Sequence, residues 1–189
     1  MRLLALLFFT FYLHITFSQE VKKDTTTFIS TTNQLKSNYI PDSIFQMTYL
    51  KHLTITGMDC DLFILDDHGK NKTNCFMIRE IPIQINQLIF LESLQLNVNS
   101  ISILPKEISG LKNLKVLDLT DNSNLTDIES IVRLENLEIL SLNGCNLSKL
   151  PSEIIRLSKL KSLGLTGNPL NEVEKERIKN SLPNCIINF

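Results

Sequence analysis

Three histidines, His14, His52 and His68, and four cysteines, Cys60, Cys75, Cys145 and Cys185, are the side chains best suited to chemistry. A thiol beside an imidazole makes a nucleophile–base pair, and Cys60 with His52 is one such combination, but no third group is evident to orient the imidazole. The run Asp59-Cys60-Asp61, followed by Asp66-Asp67-His68, concentrates carboxylates and a histidine, and oxygen-rich loops can hold Ca²⁺. It lacks the alternating acidic spacing that fixes a calcium loop. No phosphate-binding glycine loop, GxSxG, HExxH or paired CxxC occurs. The chain therefore reads as having no catalytic residue, cofactor or metal ligand. A metal-binding or enzymatic role centred on this acidic segment is the chemical alternative.

The start of the chain bears on the cysteines. Arg2 precedes the apolar run Leu3–Phe17, and Thr16-Phe17-Ser18 ahead of Gln19 presents small residues where signal peptidases cut. Residues 1–18 are expected to be a secretory signal, giving a secreted or periplasmic product. The run is shorter than the ~20 residues that span a bilayer. An uncleaved membrane anchor is the alternative, and no membrane span is expected after cleavage. In an oxidising compartment Cys60 and Cys75 are expected to form a disulfide closing the loop between them, worth roughly 3 kcal/mol. Cys145 and Cys185 are expected to be buried thiols. The mature chain would hold 18 basic and 20 acidic residues. With no basic stripe, nucleic acid is not an expected partner.

What must position these residues is a repeat. Leu91, Leu114, Leu137 and Leu160 stand 23 residues apart, opening LESLQLNVN, LKVLDLTDN, LEILSLNGC and LKSLGLTGN. A fixed period in the twenties marks stacked small units, none able to bury its apolar side alone. Counting the first leucine as zero, apolar residues at offsets 3 and 5 alternate with polar ones, the pattern of a short strand. Those at 13, 17 and 20, as in Leu104-Pro105-Lys106-Glu107-Ile108-Ser109-Gly110-Leu111, predict a helical or 3-10 return. Asn99, Asn122 and Asn168 fill the ninth position and are expected to bond turn backbone in the core, a structural role that Cys145 takes in its own unit.

The phrases LxxLxLxxN and LPxEIxxLxxL resemble the leucine-rich repeat family. The resemblance implies an α/β leucine-rich repeat solenoid with a parallel concave sheet, helical or 3-10 convex returns and a C-terminal capping helix. It covers about 38–170, after a lead-in or cap at 19–37. The end of the chain, 164–189, is similar to the closing segment of small bacterial envelope proteins of this family, and 171–189 is expected to be the C-terminal cap. There Asn171 and Glu174 have capping-box spacing, Val173, Ile178 and Leu182 form an apolar stripe, and Ile186-Ile187 is strand-like. Leu50 to Leu91 spans 41 residues, placing an 18-residue excess at about 59–79. Phe28–Thr32 is a weakly patterned further strand. Ile128 falls one place late, at offset 14, which predicts a local bulge.

Alternation points His52, Thr54, Gln95, Asn97, Val116, Asp118, Ile139, Ser141 and Asn143 onto the concave face. Five strands at ~4.8 Å spacing, each exposing ~15 Å, make a platform of about 400 Å². A standard interface uses ~800 Å² per partner. Phe63, Ile64 and Leu65 in the insertion are the expected additional anchors. The expected function is non-enzymatic recognition of a protein or peptide by a monomer, with a structural element of the cell envelope as the alternative.

Overall fold

The computed structural model describes residues 26–57 and 76–189. Seven parallel strands form one sheet in sequence order: β1 Thr27–Thr31, β2 His52–Thr56, β3 Ser93–Gln95, β4 Val116–Asp118, β5 Ile139–Ser141, β6 Ser162–Gly164 and β7 Ile186–Asn188. The register repeats at each step, so that Leu53, Leu94, Leu117, Leu140, Leu163 and Ile187 stand in one row. With the opening leucines and Leu96, Leu119, Leu142 and Leu165, the leucines of this row make a continuous buried core, against which the partly buried Ile187 packs.

The returns are 3-10 turns of five residues at Ile83–Gln87, Lys106–Gly110, Glu129–Arg133 and Ser152–Arg156. Pro82, Pro105 and Pro151 stand just before three of them, with φ of −62°, −65° and −50°. Their fixed φ suits the entry, and the missing N–H loses nothing there. Each proline carbonyl accepts from the N–H three residues on, Ile85, Ile108 or Ile154, at 3.0–3.1 Å. The shorter helices α1 (Thr32–Leu35) and α2 (Asp42–Phe45) follow β1, and α3 (Glu172–Ser181) leads into β7.

Between strand and return the chain reverses through a left-handed residue at offset 7: Val98, Asp121, Gly144 and Gly167, with φ of 55°, 58°, 63° and 77°. The ninth-position amides tie these turns together. Asn122 Nδ2 donates to the carbonyls of Leu96 and Leu119, and its Oδ1 accepts from Ile101 N–H at 3.0 Å. Asn99 serves Ile55, Leu96 and Ile78 in the same way. Asn168 serves Leu142, Leu165 and Leu147, although it is only half-buried. At Cys145 the thiol donates to Leu119 C=O at 3.1 Å but offers no carboxamide oxygen to the preceding unit.

Several expectations are corrected. The sheet is wider than the five strands counted for the platform, because the expected strands near Phe28–Thr32 and Ile186-Ile187 join it as β1 and β7 at either end. The first strand runs Thr27–Thr31, since Thr32 turns into α1 and buries its hydroxyl against the carbonyls of Gly57 and Phe76. Ile78 is buried and bonds Asn99 as Ile101 bonds Asn122, so Ile78 and Arg79 belong to the repeat and the extra residues end before them. Val173 is 80% exposed; Ile178 and Leu182 alone carry the buried stripe of α3. Cys185 is half-buried, at the open edge beside β7, while Cys145 is fully buried; both are free thiols. The Cys60–Cys75 pair, His68 and Phe63, Ile64 and Leu65 lie outside the described residues.

Candidate protein-recognition face

The alternation that sends leucines inward sends the intervening residues to the opposite face of the sheet. The parallel register then aligns them in rows across the strands. One row runs Thr27, His52, Ser93, Val116, Ile139, Ser162, Ile186. The next runs Ile29, Thr54, Gln95, Asp118, Ser141, Gly164, Asn188. Asn97 and Asn143 lie just beyond the strand ends, above this second row.

All nine concave residues singled out from the sequence thus share one surface, and the sheet brings Val116 and Ile139 side by side near its middle. Ile139 is 41% exposed there. Two apolar residues on the same face were missed: Ile29, 67% exposed on β1, and Ile186, 71% exposed on β7. Their strands were weakly patterned or lay beyond the repeat, so alternation gave little signal.

Several polar groups on this face are already engaged. Thr54 Oγ1 donates to Gln95 Oε1 at 2.9 Å, and Thr56 Oγ1 to Asn97 Oδ1 at 3.1 Å. Asp118 Oδ1 accepts from Thr120 N–H, and Asn143 Oδ1 from Thr166 N–H, each at 2.9 Å. Gly164 makes room for Asn143, whose amide atoms would lie 2.8 Å from a Cβ at that position. Oxygens tied inward hold these side chains in place before any ligand arrives, which lowers the ordering cost of binding.

A second ladder edges the sheet where the strands begin. Lys51, Glu92 and Lys115 form one ion-pair chain, with distances of 3.5 and 2.8 Å, and Glu138 pairs with Lys161 at 2.6 Å. The Lys115 ammonium, hydrogen-bonded to Glu92, holds that carboxyl below its usual range, and Lys161 does the same for Glu138. Alternating signs leave this rim close to neutral. Its signal was present in the sequence, since these residues all follow an opening leucine.

Burial pushes the Cys145 thiol up to about 11, so it is protonated and a poor nucleophile at neutral pH. Among the described residues no group of three or more His, Cys, Asp or Glu is placed to hold a metal ion. No helix among them is long and apolar enough to cross a membrane.

The family model described as "Leucine rich repeat" matches residues 89–147. A solved structure of a Leptospira interrogans leucine-rich repeat protein is 36% identical, with a TM-score of 0.65 over 79% of this chain. The chain is a leucine-rich repeat protein. It spans 34% of the length of that Leptospira protein. The leucine-rich repeat domain of the type III effector XopL is 24% identical, with a TM-score of 0.53; 79% of this chain and 56% of that one are covered. This second likeness concerns the fold alone. None of the curated proteins compared matches the chain.

Proposed function

We propose that this leucine-rich repeat protein is a non-enzymatic recognition module that binds a protein or peptide on its concave sheet. The observation that carries the reading is the Val116–Ile139 pair. At the middle of the face Ile139 is exposed and Val116 half-buried, beside Gln95, Asp118 and Asn143, whose side-chain oxygens are already held by hydrogen bonds. An apolar centre within a polar surround is the arrangement in which contacts exclude water and contribute most to affinity.

Seven strands at ~4.8 Å spacing with ~15 Å exposed give about 500 Å², still short of the ~800 Å² per partner of a standard interface. The concave sheet therefore works with a further surface, and the inserted segment with Phe63, Ile64 and Leu65 is the proposed contributor. Such a module acts outside the cytoplasm, in keeping with the secretory signal expected at 1–18.

The test is crosslinking and pull-down from a cell-envelope extract with three proteins: wild type, a Val116→Asp/Ile139→Asp double variant, and a deletion of residues 61–74. Partners captured by wild type should be lost or weakened at least about tenfold in the double variant, which buries two charges at the contact centre. Equal capture by all three proteins would overturn the reading.

A further inference from the structure

The flank between the strands and the returns holds a second, separate feature. In the Leu91 and Leu114 units this flank is laddered by backbone. Asp127 pairs in parallel with Ile103: Thr126 N–H and Asp127 N–H donate to Ser102 C=O at 2.8 and 3.4 Å, and Leu104 N–H donates to Asp127 C=O at 3.0 Å. On the other side, the Leu137 unit is held by α3. Leu150 N–H donates to Glu174 Oε1 at 2.8 Å, and Arg177 donates to Leu150 C=O at 2.9 Å.

Between the Leu114 and Leu137 units the ladder stops. By the alternation that points Ser102 C=O and Leu104 N–H towards Asp127, Thr126 C=O and Ile128 N–H point onward to the next unit. Among the described residues neither has a hydrogen-bond partner, nor do the main-chain groups of Lys149 across the gap. The extra residue that places Ile128 late carries this flank towards the Leu91 unit. It opens a groove of about 270 Å³ floored by Leu125, Leu147 and Leu150.

We propose that this groove is a docking slot for a short extended peptide segment of a partner protein, which enters as the missing rung. The molecule carries its own template for the occupant: Asp127, whose N–H and C=O engage Ser102 and Leu104, shows the position an inserted residue would take against Thr126 and Ile128. Strand addition of this kind takes affinity from main-chain bonds and selectivity from side chains. On the rim, the carboxylates of Asp127 and Glu129 outnumber the single ammonium of Lys149, which selects a segment with a basic side chain. The volume lies just under the ~300 Å³ at which small-ligand sites usually begin, so a few residues suffice to fill it.

The experiment titrates the isotope-labelled full chain with acetyl-Ala-Lys-Ala-Ala-amide and follows backbone amide resonances. Saturable shifts of the Ile128 and Lys149 amides are expected. Replacing lysine by glutamate, or N-methylating the peptide backbone, should each weaken binding by about fivefold or more, the effect of losing one hydrogen bond or ion pair. Ser148→Trp, which fills the groove, should abolish the shifts. Val116→Asp/Ile139→Asp should leave them intact, separating this slot from the concave face. Unshifted Ile128 and Lys149 amides at millimolar peptide, equal binding of the N-methylated peptide, or shifts that survive Ser148→Trp would each overturn the proposal.

Discussion

At Asn122 one carboxamide serves main-chain groups of two adjacent units, the carbonyls of Leu96 and Leu119 and the N–H of Ile101, in a site closed to water. Asn122→Ala leaves these groups unpaired in the core and should destabilise the protein by about 3 kcal/mol in urea unfolding. Asn168→Ala, at a half-buried site water can reach, should lose only about 1 kcal/mol by the same measurement. Equal losses at both positions would show that burial does not set the contribution. Cys145 makes a different kind of prediction. Burial moves its thiol from 9.0 to about 11, so between these pH values the folded chain keeps a proton that the unfolded chain releases. Stability should therefore fall as pH rises through this window, by on the order of 2 kcal/mol, and the slope should flatten in Cys145→Ala. The difference between the two denaturation series isolates the contribution of this thiol.

Among the elements, the turns after the strands carry the strain. Val98 is a β-branched residue held at φ 55°, where its neighbours in the stack place Asp121, Gly144 and Gly167. Val98→Gly should raise the thermal unfolding midpoint through relief of about 1 kcal/mol, after allowance for glycine's greater freedom when unfolded. The Val98 carbonyl also lies 1.7 Å from where a Gly57 Cβ would sit. Gly57→Ala must therefore push the two turns apart, and a loss of at least about 2 kcal/mol is expected in the same assay. The strand–return alternation was legible because leucines recur at fixed offsets and only one face of each strand is apolar. The pairing of β1 was harder to read because Ser30 takes a core position, and β7 because a helix intervenes before it. Valine chemistry argues against a left-handed turn, so the conformation of Val98 had no local signal. The late Ile128 announced a bulge, but only the stacked neighbours show that it leans towards Ile103 and away from Lys149. On the candidate face, alternation was enough to gather the nine residues, whereas the hydrogen bonds that hold Gln95 and Asn143 depend on how each unit stacks on the next.

At the scale of the whole molecule, a row of leucines has to end somewhere, and α3 with β7 closes it. Ile178 and Leu182 cover the last unit, while Lys175 and Lys179 each lie 5.8 Å from the Phe189 ring. Removing residues 171–189 should expose Leu163 and Leu165 and turn a monodisperse preparation into aggregates by light scattering. A truncated chain that stays monodisperse would mean the seal is dispensable. Between the ends, each strand bonds only to its sequence neighbours and in the same register throughout. Unequal recombination that duplicates or deletes one unit would therefore change the number of rungs and leave the C-terminal seal intact. Length is thus a trait that inheritance can vary with little penalty, except across one junction. There the bulged flank before Ile128 and Cys145, which replaces the turn asparagine, sit in the two successive units on either side.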